Sequence, residues 1–306
     1  MTSPYLGPLP DHGRFPYRPI TRRPDHRWPG GQGLAVYIGF NLEHFAFGEG
    51  LGAGIGPVSP APDVLNHSWR EYGNRVGAWR CLELFDQLGL PTAALINTAL
   101  YDHCPELVAA FVERGDELVG HGHTNAERQG SFSEAEERGL LLRCRERIRQ
   151  ESGAEVGGWL SPWISESLHT PDLLAETGYR YTLNWCHDDQ PTRMATRGGP
   201  IWAIPYPQEL NDIPMLVARQ MDAKDFAQMI IDNTDEMREQ ARTQPLVMGI
   251  ALHPYLIGQP YRLRHLRRAL QHLCAARDRG ELWITTPGAI CDHVTQLAQH
   301  DPEAFP

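Results

Sequence analysis

The stretch "GLAVYIGFNLEHF", Gly33 to Phe45, decides how the chain is read. Leu34 to Phe40 is an apolar strand, and its end turns polar at once. Asn41 and Glu43 are two residues apart, so alternation along an extended segment sets both side chains on one side, with Leu42 opposite. A glutamate in that position can activate water or bind a cation. The plainer alternative is a loop carboxylate satisfied by nearby backbone amides.

Strands and helices alternate outward from this stretch. Val76, Trp79, Leu82, Phe85 and Leu88 mark one face of a helix that stops at Gly89 and Pro91. Further strands are expected at 92–97, 116–120, 156–160, 179–185, 200–206, 246–252 and 281–285. Helices are expected at 105–114, 171–177, 222–242, 261–279 and 287–299. Ser133-x-x-Glu136 is a capping box opening a charged helix to about Gln150. Such alternation without a linker implies a mostly parallel sheet or a barrel, hence one domain over 31–300. Residues 1–30, rich in Pro and Arg, read as an extended arm laid on the domain or on a neighbouring subunit.

The polar residues gather where strands end, the location of active sites in barrel-like α/β folds. "GHGHTNAER" (120–128) follows the 116–120 strand, and His121 and Asn125 are four apart and able to converge, whereas His123 points elsewhere. "ALHPYLIG" (251–258) projects His253 just before Pro254, a placement suited to a general acid. "GWLSPW" (158–163) offers Trp159 and Trp163 as walls for a planar ligand, with ordinary core as the alternative. In "NWCHDDQP" (184–191), Asp188 is a candidate to orient a neighbouring group. No Walker loop, GxGxxG or GxSxG is present, so phosphate cradling and a serine elbow have no support.

Composition bounds the function classes. The 306 residues include 41% hydrophobic and 22% charged residues, enough for a sizeable core. A net charge of -10 argues against nucleic acid and for a small-molecule substrate. No apolar run suits a membrane span, and Met1-Thr2-Ser3-Pro4 lacks the parts of a signal peptide. Six scattered cysteines without CxxC pairs read as free thiols in a reducing cytoplasm.

The ordered set "RWPGGQGLAVYIGFNLEHF", "YGNRVGAWR", "HGHTN", "GWLSPW", "YRYTLNW" and "LHPYLIGQPYRLRHLRRAL" resembles the polysaccharide deacetylase (NodB-homology) superfamily. Within it, the likeness is to the deacetylase-like allantoinase and cyclic-amide hydrolase branch. It covers about 30–295, with a long insertion at 44–71. The resemblance implies a distorted (β/α) barrel of about seven strands and hydrolysis of a C–N bond. It also exposes departures. The metal-dependent members carry two aspartates in the first motif, where this chain has Asn41 and Glu43. Their second motif supplies two histidine ligands, and here those positions are His121 and Asn125. Leu160 stands where an arginine usually orients the catalytic aspartate, and only His253 survives intact. Glu43 and His121 are two good donors where Zn²⁺ wants three. No cofactor is therefore expected, although a divalent metal such as Zn²⁺ stays open.

These readings converge on a cytoplasmic hydrolase, expected to be a homo-oligomer, that opens an allantoin-like ureide, a hydantoin or an imide. Glu43 is expected to position or activate water, His121 and Asn125 to hold the carbonyl oxygen, and His253 to protonate the leaving nitrogen. Asn41, His123, Trp159 and Trp163 are expected to bind substrate. The alternatives are a metal-dependent N-acetyl-sugar deacetylase and a non-catalytic ligand-binding relic of the fold.

Overall fold

The computed structural model describes residues 11–57 and 60–305. Nine strands form one sheet: β1 (Leu34–Leu42), β2 (Ala93–Ile96), β3 (Glu117–Gly120), β4 (Gly158–Trp159), β5 (Tyr181–Thr182), β6 (Thr192–Met194), β7 (Ile201–Ala203), β8 (Leu246–Leu252) and β9 (Leu282–Thr285). The order is β6-β7-β5-β4-β3-β2-β1-β8, with β9 also paired to β1. Every pairing is parallel except β6 with β7. The path from β7 to β8 thus contains seven parallel strands, curled into an incomplete barrel. Between β7 and β8 the sheet is bridged only by an isolated pairing of Asn211 with Ala251 among the described residues.

Period-two alternation sorts the side chains into two cores. Val36, Ile38, Phe40 and Leu42 of β1 face the helices, with Met248, Ile250 and Leu252 of β8. Ala35 and Tyr37 face the barrel interior with Leu95, Val119, Val247 and Ala251. Continuing each inward register past the strand end reaches Asn41 and Glu43 from β1, His121 from β3 and His253 from β8. Gly39 lies on that inner face, where a Cβ would come within 3.2 Å of the Tyr206 ring. Its lack of a side chain lets Tyr206 approach Asn41.

The expected helices are all present, at Ala78–Leu88, Pro105–Glu113, Glu134–Ser152, Thr170–Glu176, Ala223–Gln240, Pro260–Asp278 and Pro287–His300. The Ser133/Glu136 capping box forms as read. The 44–71 insertion contains a helix that the sequence reading did not resolve, Val64–Tyr72, capped by the Asp63 carboxylate on Asn66 N–H. The strand β6 and the short helix Leu100–His103 were also not anticipated. Among the described residues, no helix is long and apolar enough to cross a membrane.

Part of the N-terminal arm, residues 1–10, lies outside the described residues. From residue 11 onward the arm is tied to the barrel. Arg14 makes a two-pronged contact with Asp172, at 2.6 and 2.9 Å. Trp28 is buried, and its indole N–H donates to the carbonyls of Gly33 and Leu246.

Candidate active site

Glu43, His121, Asn125 and His253 meet at the C-terminal rim of the sheet. They line a cavity of about 200 Å³ with Trp163, Tyr206 and other residues. One glutamate oxygen, Oε1, lies 3.5 Å from His121 Nε2 and 3.6 Å from His253 Nε2. The same oxygen accepts from Asn125 Nδ2 at 2.5 Å, while Oε2 accepts from the Tyr255 hydroxyl at 2.8 Å. The reverse amide orientation at Asn125 would set two lone-pair oxygens against each other, so Nδ2 must face the carboxylate.

Both histidines are oriented from behind. His253 Nδ1 contacts Asp212 Oδ1 at 2.6 Å, and His253 N–H donates to Asp212 Oδ2 at 2.8 Å. His121 Nδ1 lies 2.7 Å from the Leu160 carbonyl oxygen. A carbonyl only accepts, so that nitrogen carries the proton and Nε2 is left facing the cavity. Neither His121 Nε2 nor Asn125 Oδ1 has a partner, although both are buried.

The charges suit an acid–base pair. Burial would raise the Glu43 carboxyl, but the charge of His253, the contact with His121 and the Tyr255 hydroxyl outweigh it and hold the group below the ordinary carboxylate value. Burial would lower His253, but the carboxylates of Asp212 and Glu43 outweigh it and raise the imidazole above its ordinary value. Both shifts favour an ionised base beside a protonated acid. Burial, then Glu43, raises Tyr255, so its hydroxyl stays a donor.

The structure separates several residues that sequence spacing had grouped. Asn41 lines the cavity, with its amide donating to the Tyr206 hydroxyl and the Leu252 carbonyl. Trp163 lines it too, with its indole N–H on the Asn125 carbonyl at 2.9 Å. Trp159 does not: it is fully buried core against Tyr179, and its N–H donates to Gln129 and Ser161. His123 is exposed, hydrogen-bonded to Thr98, and lines a separate groove of about 900 Å³ with Glu127 and Arg143. Asp188 pairs with Arg23 of the arm and accepts from Gln190 N–H, so it orients no group of the cluster.

Asp212 and Tyr255 complete the cluster and were not anticipated. Asp212 comes from the segment between β7 and β8, 41 positions before His253, immediately ahead of a π-helical turn at Ile213–Ala218. Tyr255 is two residues past His253, and its signal was the aromatic in "HPY".

The donor set does not fit a divalent metal. Asn125 presents a hydrogen to Glu43 Oε1, occupying the oxygen that an ion would share with it. Asn41 is committed to Tyr206 and Leu252. Among the described residues, no three His, Cys, Asp or Glu side chains are grouped to hold an ion.

The curled parallel sheet with an acid–base pair on its rim defines a hydrolase of the deacetylase-like barrel class. No family model matches the chain. It is 26% identical over 277 residues to a Schizosaccharomyces pombe protein assigned to the polysaccharide deacetylases, covering 84% of each. It is 23% identical over 283 residues to a Helicobacter pylori peptidoglycan deacetylase, covering 82% of this chain and 93% of that one. The solved structure of Puue allantoinase superposes with a TM-score of 0.81 at 26% identity, covering 94% of this chain and 99% of that one. These likenesses to polysaccharide deacetylases support a NodB-homology superfamily assignment, and with it a hydrolase of carbon–nitrogen bonds other than peptide bonds.

One prediction arises from the Asp212 contact. Removing that anion destabilises the imidazolium, so Asp212→Asn lowers the His253 pKa. A general-acid role for His253 requires the protonated ring, so under that role the alkaline limb of the kcat/KM profile should move to lower pH. A pH–rate series on the two proteins checks this, and an unmoved limb would remove His253 as the titrating acid.

Proposed function

We propose that the protein hydrolyses a C–N bond of a small, uncharged cyclic amide such as an allantoin-like ureide, a hydantoin or an imide. The observation that carries this reading is Glu43 Oε1 lying 3.6 Å from His253 Nε2 inside a small cavity. Its volume is below the roughly 300–1,000 Å³ typical of drug-sized ligands. Among the described residues, Glu43 is the one carboxylate in the lining, and no Arg or Lys lines it. An anionic substrate would therefore meet only the His253 imidazolium, whose charge Asp212 and Glu43 already compensate. A ring-opened product bearing a new carboxylate would be repelled by Glu43.

Glu43 Oε1 and His121 Nε2 are acceptors 3.5 Å apart, an arrangement suited to one water donating a hydrogen to each. Glu43 takes the water proton as the oxygen bonds to the carbonyl carbon. The C–N bond then breaks, and His253 Nε2–H gives its proton to the departing nitrogen. His121 serves as a water holder here and not as the oxyanion donor expected from the sequence, since its only N–H is spent on Leu160.

Trp163 is the wall. It is 38% exposed at the cavity mouth, with its backbone in the left-handed region (φ 62°). Trp163→Ala should raise KM by roughly 10–100-fold while lowering kcat less, because a wall stabilises substrate and transition state alike. Steady-state kinetics on the best substrate separates the two parameters, and a kcat-only loss would contradict the role.

The competing reading, deacetylation of N-acetylated sugars, draws on the names of the curated relatives. A substrate panel of allantoin, hydantoin, succinimide and N-acetylglucosamine oligomers decides between them. The proposal expects turnover of at least one ring and none of the sugars; the opposite result refutes it. Six free thiols, four of them buried, support a reducing cytoplasm. Exposed Phe47, Ile55, Val64 and Leu65 on the insertion support a homo-oligomer.

A further inference from the structure

Three groups in the cavity have hydrogen-bonding capacity that the protein leaves unused. Asn125 Oδ1 is buried and without a partner, since its amide nitrogen is turned toward Glu43. His121 Nε2 is likewise open. The third is Ser161, which lines the cavity and is fully buried. Its Oγ accepts from Trp159 Nε1 at 3.0 Å and from Asn184 Nδ2 at 2.9 Å. With both lone pairs taken, the hydroxyl hydrogen is the bonding capacity left on Oγ.

The support behind Ser161 is itself built from buried polar groups. The Asn184 side-chain carbonyl accepts from Ser161 N–H at 2.8 Å, and its amide also donates to Glu166 at 2.7 Å. The serine is therefore clamped at backbone and side chain, a donor fixed in direction before any ligand arrives.

A buried acceptor left without a hydrogen is destabilising, so a ligand that supplies one is strongly preferred. An amide inside a five- or six-membered ring is held cis, with its N–H and C=O on the same edge. The open-chain acetamido group of an N-acetyl sugar is trans, with N–H and C=O on opposite edges. An open donor on Ser161 and an open acceptor on Asn125, both lining one small cavity, suit the first arrangement and not the second.

Resting on the cyclic-amide reading above, we infer that the site selects its substrate by the cis-amide edge: Ser161 Oγ–H takes the carbonyl oxygen and Asn125 Oδ1 takes the adjacent ring N–H. The substrate class is thus a neutral ring with an unsubstituted N–H beside the carbonyl that is attacked. N-alkylation of that nitrogen removes the hydrogen and places a methyl group against a buried carbonyl.

The test uses the full-length protein with succinimide and hydantoin against their N-methyl analogues, read by kcat/KM and by calorimetric binding. Methylation of the imide nitrogen should lower kcat/KM and affinity by at least about 10²-fold, since sites built to bond a substrate N–H reject analogues lacking it by up to about 10⁵. Asn125→Ala should reduce that parent-to-methyl ratio toward one, whatever happens to absolute activity. Ser161→Ala should lower kcat/KM for parent and analogue together and leave the ratio standing. Methylated and parent rings handled within about threefold of each other would overturn the inference, as would a ratio unchanged in Asn125→Ala. If no ring is turned over, the hydrolase reading fails on its own. The binding ratio still decides the inference, because equal binding or none overturns it.

Discussion

His253→Ala is expected to lower kcat by roughly 10²–10⁴, the range contributed by a positioned general acid. Substrate affinity should stay within a few fold. The departing nitrogen of an opened ring is a poor leaving group unless protonated, and among the described cavity residues His253 alone combines a raised pKa with a ring nitrogen facing Glu43. The substitution also strands Asp212, which is fully buried and bonded to His253 through both oxygens. Breaking a buried pair in this way destabilises by about 3–5 kcal/mol, so melting must be followed alongside kinetics. The double variant Asp212→Asn/His253→Ala separates the two effects. It should recover part of the stability and none of the kcat, because neutralising the stranded carboxylate restores no proton donor. Near-normal kcat in a folded His253→Ala protein would remove the acid from the scheme.

Glu43→Gln should cost a similar factor in kcat, roughly 10²–10⁴, for a different reason. The amide keeps the shape and loses the basic oxygen. It also disturbs the site: Asn125 Nδ2 and the Tyr255 hydroxyl both donate to the carboxylate, one to each oxygen. Glutamine has one acceptor for these two donors, and the misfit should lower stability by about 1–3 kcal/mol. Glu43 is held low and must be ionised to act, so wild-type activity should persist as pH falls until below the ordinary carboxylate range. That acid limb should be absent from any residual activity of Glu43→Gln. Its persistence in the pH–rate profile would assign the limb to another group.

How much of this was legible beforehand depended on regular backbone. Where a strand runs straight, period two carries a side chain to a known face, as for Glu43, while His121 and His253 stand out as polar residues directly after apolar strands. The apolar alternation of β8 even extends to His253 without a break. Asp212 was not legible, because the chain from Tyr206 to Ala218 is an irregular crossing closed by a π-helical turn, and no periodicity assigns its faces. Tryptophans misled in the opposite direction. Trp159 and Trp163 lie four apart in one motif, yet the first points among the helices as core while the second, past Pro162, turns outward through a left-handed backbone. Asp188 looked like an orienting carboxylate because it adjoins a histidine in sequence. Its partner, Arg23, comes from the arm 165 positions away, a contact that local spacing cannot reveal.

The seven-strand expectation matched the parallel path from β7 to β8, while β6 and β9 fell outside it. β6 is a three-residue antiparallel edge too short for a pattern, and β9 pairs only with the N-terminal half of β1. The role of the 44–71 insertion is not legible in the sequence. Its Phe45 and Ala53 line the cavity, and Leu51 N–H donates to the Ala126 carbonyl, so it forms part of the site's cover.

The central claim is that Glu43 and His253 carry the hydrolysis as organic base and acid, with Asn125 bonded to the carboxylate in place of a metal. The most direct measurement is kcat on the best ring substrate before and after exhaustive chelation, with metal content determined on the same samples. The account expects well under one equivalent of Zn²⁺ per chain and a kcat unchanged by chelator. Stoichiometric metal, with activity lost on chelation and restored by Zn²⁺, would contradict it and make Glu43 and His121 ligands.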